Sequence, residues 1–136
     1  MDRGLIEEKL EALRRCVARI AAKRPPTAAL LAANPDLQDI IALNLTRAVQ
    51  LCVDIAAHLI ADSDEPAPAT MGEAFDRLVT MRILEPELVG QLRKAAGFRN
   101  IAVHNYLAID WTIVHDIAYT HVGDFERFAA RVAKTL

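Results

Sequence analysis

Apolar residues recur near the start of the chain at alternating steps of four and three, the spacing of one face of an α-helix. This stripe consists of Ile6, Leu10, Leu13, Val17 and Ile20. It predicts a first helix from about Asp2 to Lys23. Arg24-Pro25-Pro26 ends that helix, because proline lacks an amide donor and its ring clashes with the preceding turn.

A second, longer helix is predicted after a short turn that Thr27 caps and that extends to Ala33. Asn34-Pro35-Asp36 begins the long helix, with asparagine at the cap, proline at the first helical position and an acid near the positive end of the helix dipole. This helix extends to about Ala61. Its apolar stripe consists of Leu37, Ile41, Leu45, Ala48, Cys52, Ile55 and Leu59.

A polar line runs along the same helix at steps of three and four residues, through Arg47, Gln50, Asp54 and His58. A helix that lies between a core and water is sufficient to explain such a line. The alternative is that the line borders a cleft or a subunit interface, because Arg47 and Asp54 are too polar to be buried without partners. Arg47 and Asp54 are therefore candidate cleft-lining residues.

The next segments predict a loop and a short helix. Residues 62–69 are acidic and rich in proline, which is typical of a loop. Thr70 and Glu73 form a capping box, in which each side chain satisfies a free backbone amide of the other residue. The helix that they begin extends to about Met81, and its inward residues are Phe75, Leu78 and Val79.

Two further helices complete the chain. Glu85-Pro86-Glu87 begins the first by the same proline rule. Its apolar face consists of Leu88, Leu92, Ala95, Ala96 and Val103. Asp110 is the expected cap of the last helix, which extends to about Lys134 and which Gly123 is expected to kink or divide.

Composition supports an all-α protein with a single domain over residues 1–136. Hydrophobic residues make up 53% of the chain, which is enough for one core, whereas glycine occurs only 5 times. The sequence predicts no membrane span and no signal peptide, so we expect a cytoplasmic protein. Cys16 and Cys52 lie on apolar stripes and are expected to be buried free thiols, and no cluster indicates a metal or another cofactor.

The net charge of −2 argues against non-specific binding of nucleic acid by the monomer as a whole. One stretch nevertheless has five basic residues against two acidic ones: Arg77, Arg82, Arg93, Lys94 and Arg99 against Glu85 and Glu87. Arg77 and Arg82 fit a solvated surface. An anion-binding role stays open for Arg93, Lys94 and Arg99.

The segment Gly97–Tyr106 places an arginine, a histidine and a tyrosine in an otherwise mostly apolar run. Arg99 can hold a phosphate through two parallel hydrogen bonds, and His104 can both accept and donate a proton near neutral pH. These groups suit metal-free cleavage of RNA, in which a ribose 2′-hydroxyl attacks the adjacent phosphorus. The other histidines, at positions 58, 115 and 121, are more typical of surface or capping residues.

Helical geometry separates these side chains. At about 100° per residue, Tyr106 lies nearly above Arg99, whereas His104 points about 140° away. Either the helix ends near His104, or two subunits assemble the site. Two copies of His104 and Arg99 across a two-fold axis would supply acid, base and positive charge together, so the mechanism itself favours a dimer.

Several segments together resemble one family: Asp54-Ile55-Ala56, Phe75 with Leu78, Ile83–Leu88, Gly97–Tyr106 and Ile109-Asp110. The chain is similar to HepT, the toxin half of the HEPN and minimal-nucleotidyltransferase (HepT/MntA) type VII toxin–antitoxin modules. The resemblance covers residues from about Asp36 to Phe128. Arg99, His104 and Tyr106 match the family motif R-x-x-x-x-H-x-Y without departure.

This resemblance implies a HEPN-type antiparallel bundle of about five helices, a homodimer with its cleft at the interface, and a metal-independent endoribonuclease. Arg99 and His104 would be catalytic, with Asn100 as a supporting donor. The implied partners are RNA and an MntA-like nucleotidyltransferase antitoxin, which would neutralise the toxin by transferring AMP from ATP onto Tyr106.

Two other hypotheses compete with a ribonuclease toxin. One is a non-catalytic HEPN-like module that binds a nucleotide or a nucleotidyltransferase. The other is a plain dimerisation module, in which Arg99 pairs with Asp54 or another acid.

Overall fold

A computed structural model describes all 136 residues and contains helices, turns and loops but no strand. A 3₁₀ turn at Tyr106–Ala108 follows the fifth helix, and a π-helical segment at Ile117–His121 joins the last two helices. The α-helices are α1 (Arg3–Lys23), α2 (Ala28–Ala32), α3 (Pro35–Ala61), α4 (Met71–Thr80), α5 (Pro86–His104), α6 (Trp111–Asp116) and α7 (Val122–Ala133). Five of them have ten or more residues, so the prediction of an all-α bundle of about five helices is confirmed.

The long helix α3 is the centre of the bundle. It packs along α1 and also contacts α2, α4, α5 and α7. The apolar faces of these helices meet in one continuous core. Three fully buried phenylalanines are its largest side chains, and the rings of Phe75 and Phe128 meet edge to face with centroids 6.4 Å apart. This contact ties α4 to α7.

The predicted starts of four helices are confirmed by their caps. The side chains of the cap residues accept hydrogen bonds from backbone N–H groups two or three residues ahead, as predicted for Thr27, Asn34, Thr70 and Asp110. The capping box differs in one respect. The carboxylate of Glu73 accepts the N–H of Ala69, not that of Thr70.

The last helix is divided, but not at the predicted residue. Gly123 lies in the first turn of α7, and the irregular part is the π-helical segment before it. Within that segment the carbonyl of Ala118 accepts a hydrogen bond of 2.8 Å from the guanidinium of Arg24, which also lies 4.4 Å from the centre of the Tyr119 ring. A side chain that binds a helix carbonyl is a known cause of such irregularity.

Two expectations about burial and one about membrane spanning have different outcomes. Cys16 and Cys52 are buried free thiols, as predicted. Val103 was expected to belong to the apolar face of α5 and instead is 52% exposed, because α5 leaves the core before it ends at His104. The prediction that no segment is long and apolar enough to span a membrane is also wrong, by length and composition alone. An 18-residue window of α3 has mean hydropathy 1.5, although half of that window is buried in the bundle.

Candidate active site

The guanidinium of Arg99, on the last two turns of α5, has only amide oxygens as partners. Its Nη2 donates to Oε1 of Gln50 at 3.2 Å, and its Nη1 donates to Oδ1 of Asn100 at 3.4 Å. Its Nε is buried and has no hydrogen-bond partner. Arg99 therefore has a half-buried positive charge without a carboxylate, and the ion pair with Asp54 that a plain dimerisation module would use is absent.

Gln50 on α3 sets the position of this guanidinium. Its Nε2 donates to Oδ1 of Asp54 at 2.9 Å, which fixes the other end of the amide toward Arg99. The second oxygen of Asp54 lies 3.6 Å from the ammonium of Lys9 on α1. The polar line on α3 thus connects to Arg99 through Gln50. Sequence reasoning placed Gln50 on that line but did not single it out.

Asn100 contacts Arg99 as an acceptor, and its role as a supporting donor stays a prediction. Its carbonyl oxygen faces Arg99, and its amide nitrogen forms no hydrogen bond within the chain. The side chain is exposed. A ligand at Arg99 could therefore still receive a hydrogen bond from Asn100.

His104 is the last residue of α5, and its side chain is exposed. The N–H of Asn105 closes the helix on the carbonyl of Ile101 at 2.8 Å, and the chain then turns away. The helix thus ends at His104, which is one of the two ways in which the motif side chains could be brought together. Within one chain, His104 forms no hydrogen bond with Arg99 or Tyr106.

Tyr106 lies in the 3₁₀ turn after α5, and its hydroxyl donates to Oδ1 of Asp39 on α3 at 2.6 Å. The ring packs edge to face on Trp111, with centroids 5.8 Å apart. Partial burial and the hydrogen bond to Asp39 raise the pKa of Tyr106 to about 12. Asp39 was missed by the sequence analysis, although it continues the polar line of α3 backward from Arg47 by two steps of four.

Other candidate residues already have structural partners. Arg93 pairs with Asp76, and Arg77 donates to the carbonyl of Pro66 at 3.2 Å. Nε2 of His115 lies 2.9 Å from the carbonyl oxygen of Pro25. His121 lies within 3.5 Å of carboxylates of both Asp116 and Asp124. Of the basic stretch, Arg93 is therefore paired with a carboxylate, whereas Arg99 is not.

Several exposed apolar side chains lie in or near the motif. We call this group the motif face, and it consists of Leu43, Ile101, Val103, Tyr106 and Leu107, of which Leu107 is 96% exposed. A shallow pocket of about 350 Å³ on this face is lined by Leu43, Val103 and Tyr106 together with Asp39. Exposed apolar side chains that adjoin one another, as Leu43, Val103 and Tyr106 do around this pocket, are typical of an interaction surface.

Residues 6–132 match the family described as ribonuclease HepT-like. This chain belongs to that family. An mRNA nuclease HepT of Shewanella oneidensis is 32% identical over 124 residues, which are 91% of this chain and 92% of the relative. A tRNA nuclease HepT of Aphanizomenon flos-aquae is 38% identical over 61 residues, or 45% of this chain and 42% of the relative.

A solved structure of tri-AMPylated Shewanella oneidensis HEPN toxin in complex with MNT antitoxin has the same fold as this HepT-family chain. Its TM-score is 0.89 and its identity 31%, over 100% of both chains. The resemblance stated from sequence is therefore confirmed, as is the HEPN fold class. Membership in a family described as ribonuclease HepT-like supports the endoribonuclease hypothesis over that of a non-catalytic module.

Proposed function

We propose that this protein is the toxin of a type VII toxin–antitoxin module and cleaves RNA without a metal, at a site formed by Arg99 and His104 from two copies of the chain. The observation that carries the proposal is the half-buried guanidinium of Arg99, which has amide partners, a buried unsatisfied Nε and no carboxylate. A phosphate would supply the missing anionic partner, and a charge-assisted, bidentate contact is the strongest that arginine makes.

The reaction that this site suits is attack of a ribose 2′-hydroxyl on the adjacent phosphorus. One His104 accepts the proton of the 2′-hydroxyl, and a second His104 donates a proton to the departing 5′-oxygen. The products are a 2′,3′-cyclic phosphate and a 5′-hydroxyl. Arg99 stabilises the charge that develops on the equatorial oxygens, and Asn100 supplies an additional donor.

A homodimer follows from this mechanism, because each chain has one motif histidine and the reaction needs an acid and a base. The motif face supports the proposal, since its exposed apolar residues surround His104 in sequence and adjoin Tyr106. A two-fold axis through this face would bring both copies of the motif to one cleft. Residues 1–136 would act as one HEPN-like domain, in keeping with their continuous core.

Neutralisation would occur at Tyr106, through an MntA-like nucleotidyltransferase antitoxin in the cytoplasm. The tyrosine oxygen attacks the α-phosphorus of ATP, forming a tyrosyl–AMP bond and releasing pyrophosphate, and the phenolic proton leaves to a base. The hydroxyl of Tyr106 lies on a side chain that is 39% exposed, and the related toxin is tri-AMPylated. Each AMP group would add bulk and negative charge next to the RNA site.

The test is RNA cleavage by the purified chain in the presence of EDTA. His104→Ala is expected to reduce the rate at least ~100-fold, because a general acid and base are lost. His58→Ala, which removes a histidine of α3 outside the motif, is the matched control and should retain the wild-type rate. Tyr106→Phe should cleave RNA but gain no AMP when it is co-expressed with the antitoxin.

Equal cleavage by His104→Ala and the wild type would overturn the ribonuclease site. A Tyr106→Phe protein that still gains AMP and loses activity on co-expression would exclude Tyr106 as the residue that controls it. Mass spectrometry of the intact protein distinguishes these results.

A further inference from the structure

A groove of about 720 Å³ runs between α1 and α3. Arg15 and Arg19 of α1 line one wall. Arg47, Asn44 and Gln50 of α3 line the other. The groove is open to solvent, and leucine and isoleucine side chains form much of its floor.

The groove holds most of the arginines that have no partner within the chain. Of the twelve arginines, eight form an ion pair or a hydrogen bond within the chain. The other four are Arg15, Arg19, Arg47 and Arg82, and three of these line this groove. The one acid there, Asp54, is already matched by Gln50 and by Lys9.

The groove is continuous with the active site. Gln50 lines the groove, and its Oε1 accepts the hydrogen bond from Arg99. Leu43 lines both the groove and the shallow pocket that contains Tyr106. A polymer held at Arg99 could therefore extend into the groove without crossing another helix.

We propose that this groove binds the phosphodiester backbone of single-stranded RNA on one side of the bond that is cut. The proposal rests on the proposed function. Arg15 and Arg19 are four residues apart on α1 and therefore ~6 Å apart along its axis, a separation similar to that of neighbouring phosphates in an extended strand. Positive walls that track a backbone, with apolar surface between them for sugars and bases, are typical of sequence-independent binding of single strands.

This site explains how an acidic chain can bind RNA. The net charge of −2 gives no general attraction to a polyanion. Three free guanidinium groups in one groove, beside the half-buried Arg99, concentrate the attraction on one track instead. Binding through phosphates does not depend on the bases, so the groove would add affinity for RNA without adding specificity.

The test measures binding of a fluorescent single-stranded RNA to the full chain in a His104→Ala background, where cleavage does not interfere. Replacing Arg15, Arg19 and Arg47 together by glutamine should weaken binding at least ~10-fold at low salt. The slope of log affinity against log salt should fall by about 2, as expected for three lost phosphate contacts on a single strand. The matched control replaces Arg3, Arg14 and Arg82 by glutamine, which removes the same charge outside the groove.

A lysine version of the three groove substitutions retains the charge and should retain most of the affinity, which separates loss of binding from loss of folding. Unchanged affinity in the glutamine variant would overturn the proposal. So would normal RNA binding combined with loss of antitoxin binding, because the groove would then serve an acidic protein surface.

Cleavage assays separate this proposal from the ribonuclease function on which it rests. With His104 intact, the glutamine variant should cut a dinucleoside monophosphate at the wild-type rate, since that substrate has one phosphate and does not reach the groove. The glutamine variant should cut a long RNA more slowly than the wild type does when the RNA concentration is limiting. If the wild type cuts neither substrate, the proposal of a ribonuclease site is overturned. The binding measurements would still test whether the groove binds RNA.

Discussion

At the scale of single residues, the hydroxyl of Tyr106 is held by a carboxylate. Its hydrogen bond to Asp39 keeps the phenol protonated and fixes the direction of the oxygen lone pairs. A phenol with a raised pKa is a poor nucleophile unless a base accepts its proton during the attack. Asp39 lies at hydrogen-bond distance for that role, and transfer of AMP to Tyr106 would depend on it.

The prediction at this scale concerns the titration of Tyr106. In a Tyr119→Phe background it is the only tyrosine, so ultraviolet absorbance should report one transition, at a pKa of about 12. Adding Asp39→Asn removes the negative charge that opposes ionisation, and the pKa should fall toward its ordinary value of 10.0. A transition that does not move would contradict the contact.

The same shift predicts how stability depends on pH. The folded-state pKa of Tyr106 lies above the unfolded value, so its contribution to the free energy of unfolding is fully present below pH 10 and is lost as the pH rises toward 12. Asp39→Asn should make that loss smaller.

At the scale of elements, α4 ends in a conformation that its sequence does not favour. The N–H of Ile83 bonds to the carbonyl of Leu78 and that of Arg82 to the carbonyl of Val79, both at 2.9 Å, which is a Schellman motif. Its left-handed position is occupied by Arg82, with φ of 61°, where glycine is the usual residue.

Arg82→Gly is therefore expected to stabilise the protein. It relieves the steric cost of the left-handed conformation, and it removes an exposed side chain that forms no ion pair. After the greater unfolded-state entropy of glycine is subtracted, the free energy of unfolding should rise by about 0.5–1 kcal/mol in urea titrations. Arg82→Ala retains the Cβ and should give no such gain, so equal gains in both variants would exclude this explanation.

Helix starts were predictable from sequence because they depend on contacts within three residues. Thr27, Asn34, Thr70 and Asp110 each accept a hydrogen bond from the first turn of the helix that they begin. The π-helical segment was not predictable, because its cause is Arg24, more than ninety residues earlier in the chain.

The residues of the site likewise differ in whether the sequence could predict them. Arg99, His104 and Tyr106 were found as a local motif, and the end of α5 at His104 followed from helical geometry. The partners that hold Arg99 and Tyr106 are Gln50 and Asp39, which are 49 and 67 residues away and become neighbours only when α3 packs against α5. The periodicity of the sequence indicated that this face of α3 is polar, but it could not predict which residues the face contacts.

At the scale of the whole molecule, the motif face should be the surface on which two copies meet. Leu107→Glu places a charge on its most exposed apolar residue, and a buried charge without a partner is costly. We expect the dimer dissociation constant to rise at least ~10-fold in sedimentation experiments. RNA cleavage should fall in parallel at concentrations where the variant is monomeric.

The control is Leu30→Glu, which changes a leucine of α2 that is 51% exposed and lies outside the motif face. It should remain dimeric and active. A monomeric Leu107→Glu protein with full activity would show that one chain suffices for cleavage and would overturn the two-copy mechanism.

The π-helical segment at Ile117–His121 also determines where the length of this chain can change. A π turn contains an extra residue compared with an α turn, so deletion of one residue there would leave a continuous α-helix. A backbone N–H that bonds five residues back in the π turn would then bond the same carbonyl four residues back, so the residues after the deletion would keep their orientation and Phe125 and Phe128 would stay in the core. Related chains can therefore lose one residue in this segment without losing the packing of α7, whereas a one-residue deletion within α7 itself would rotate the residues after it by about 100°.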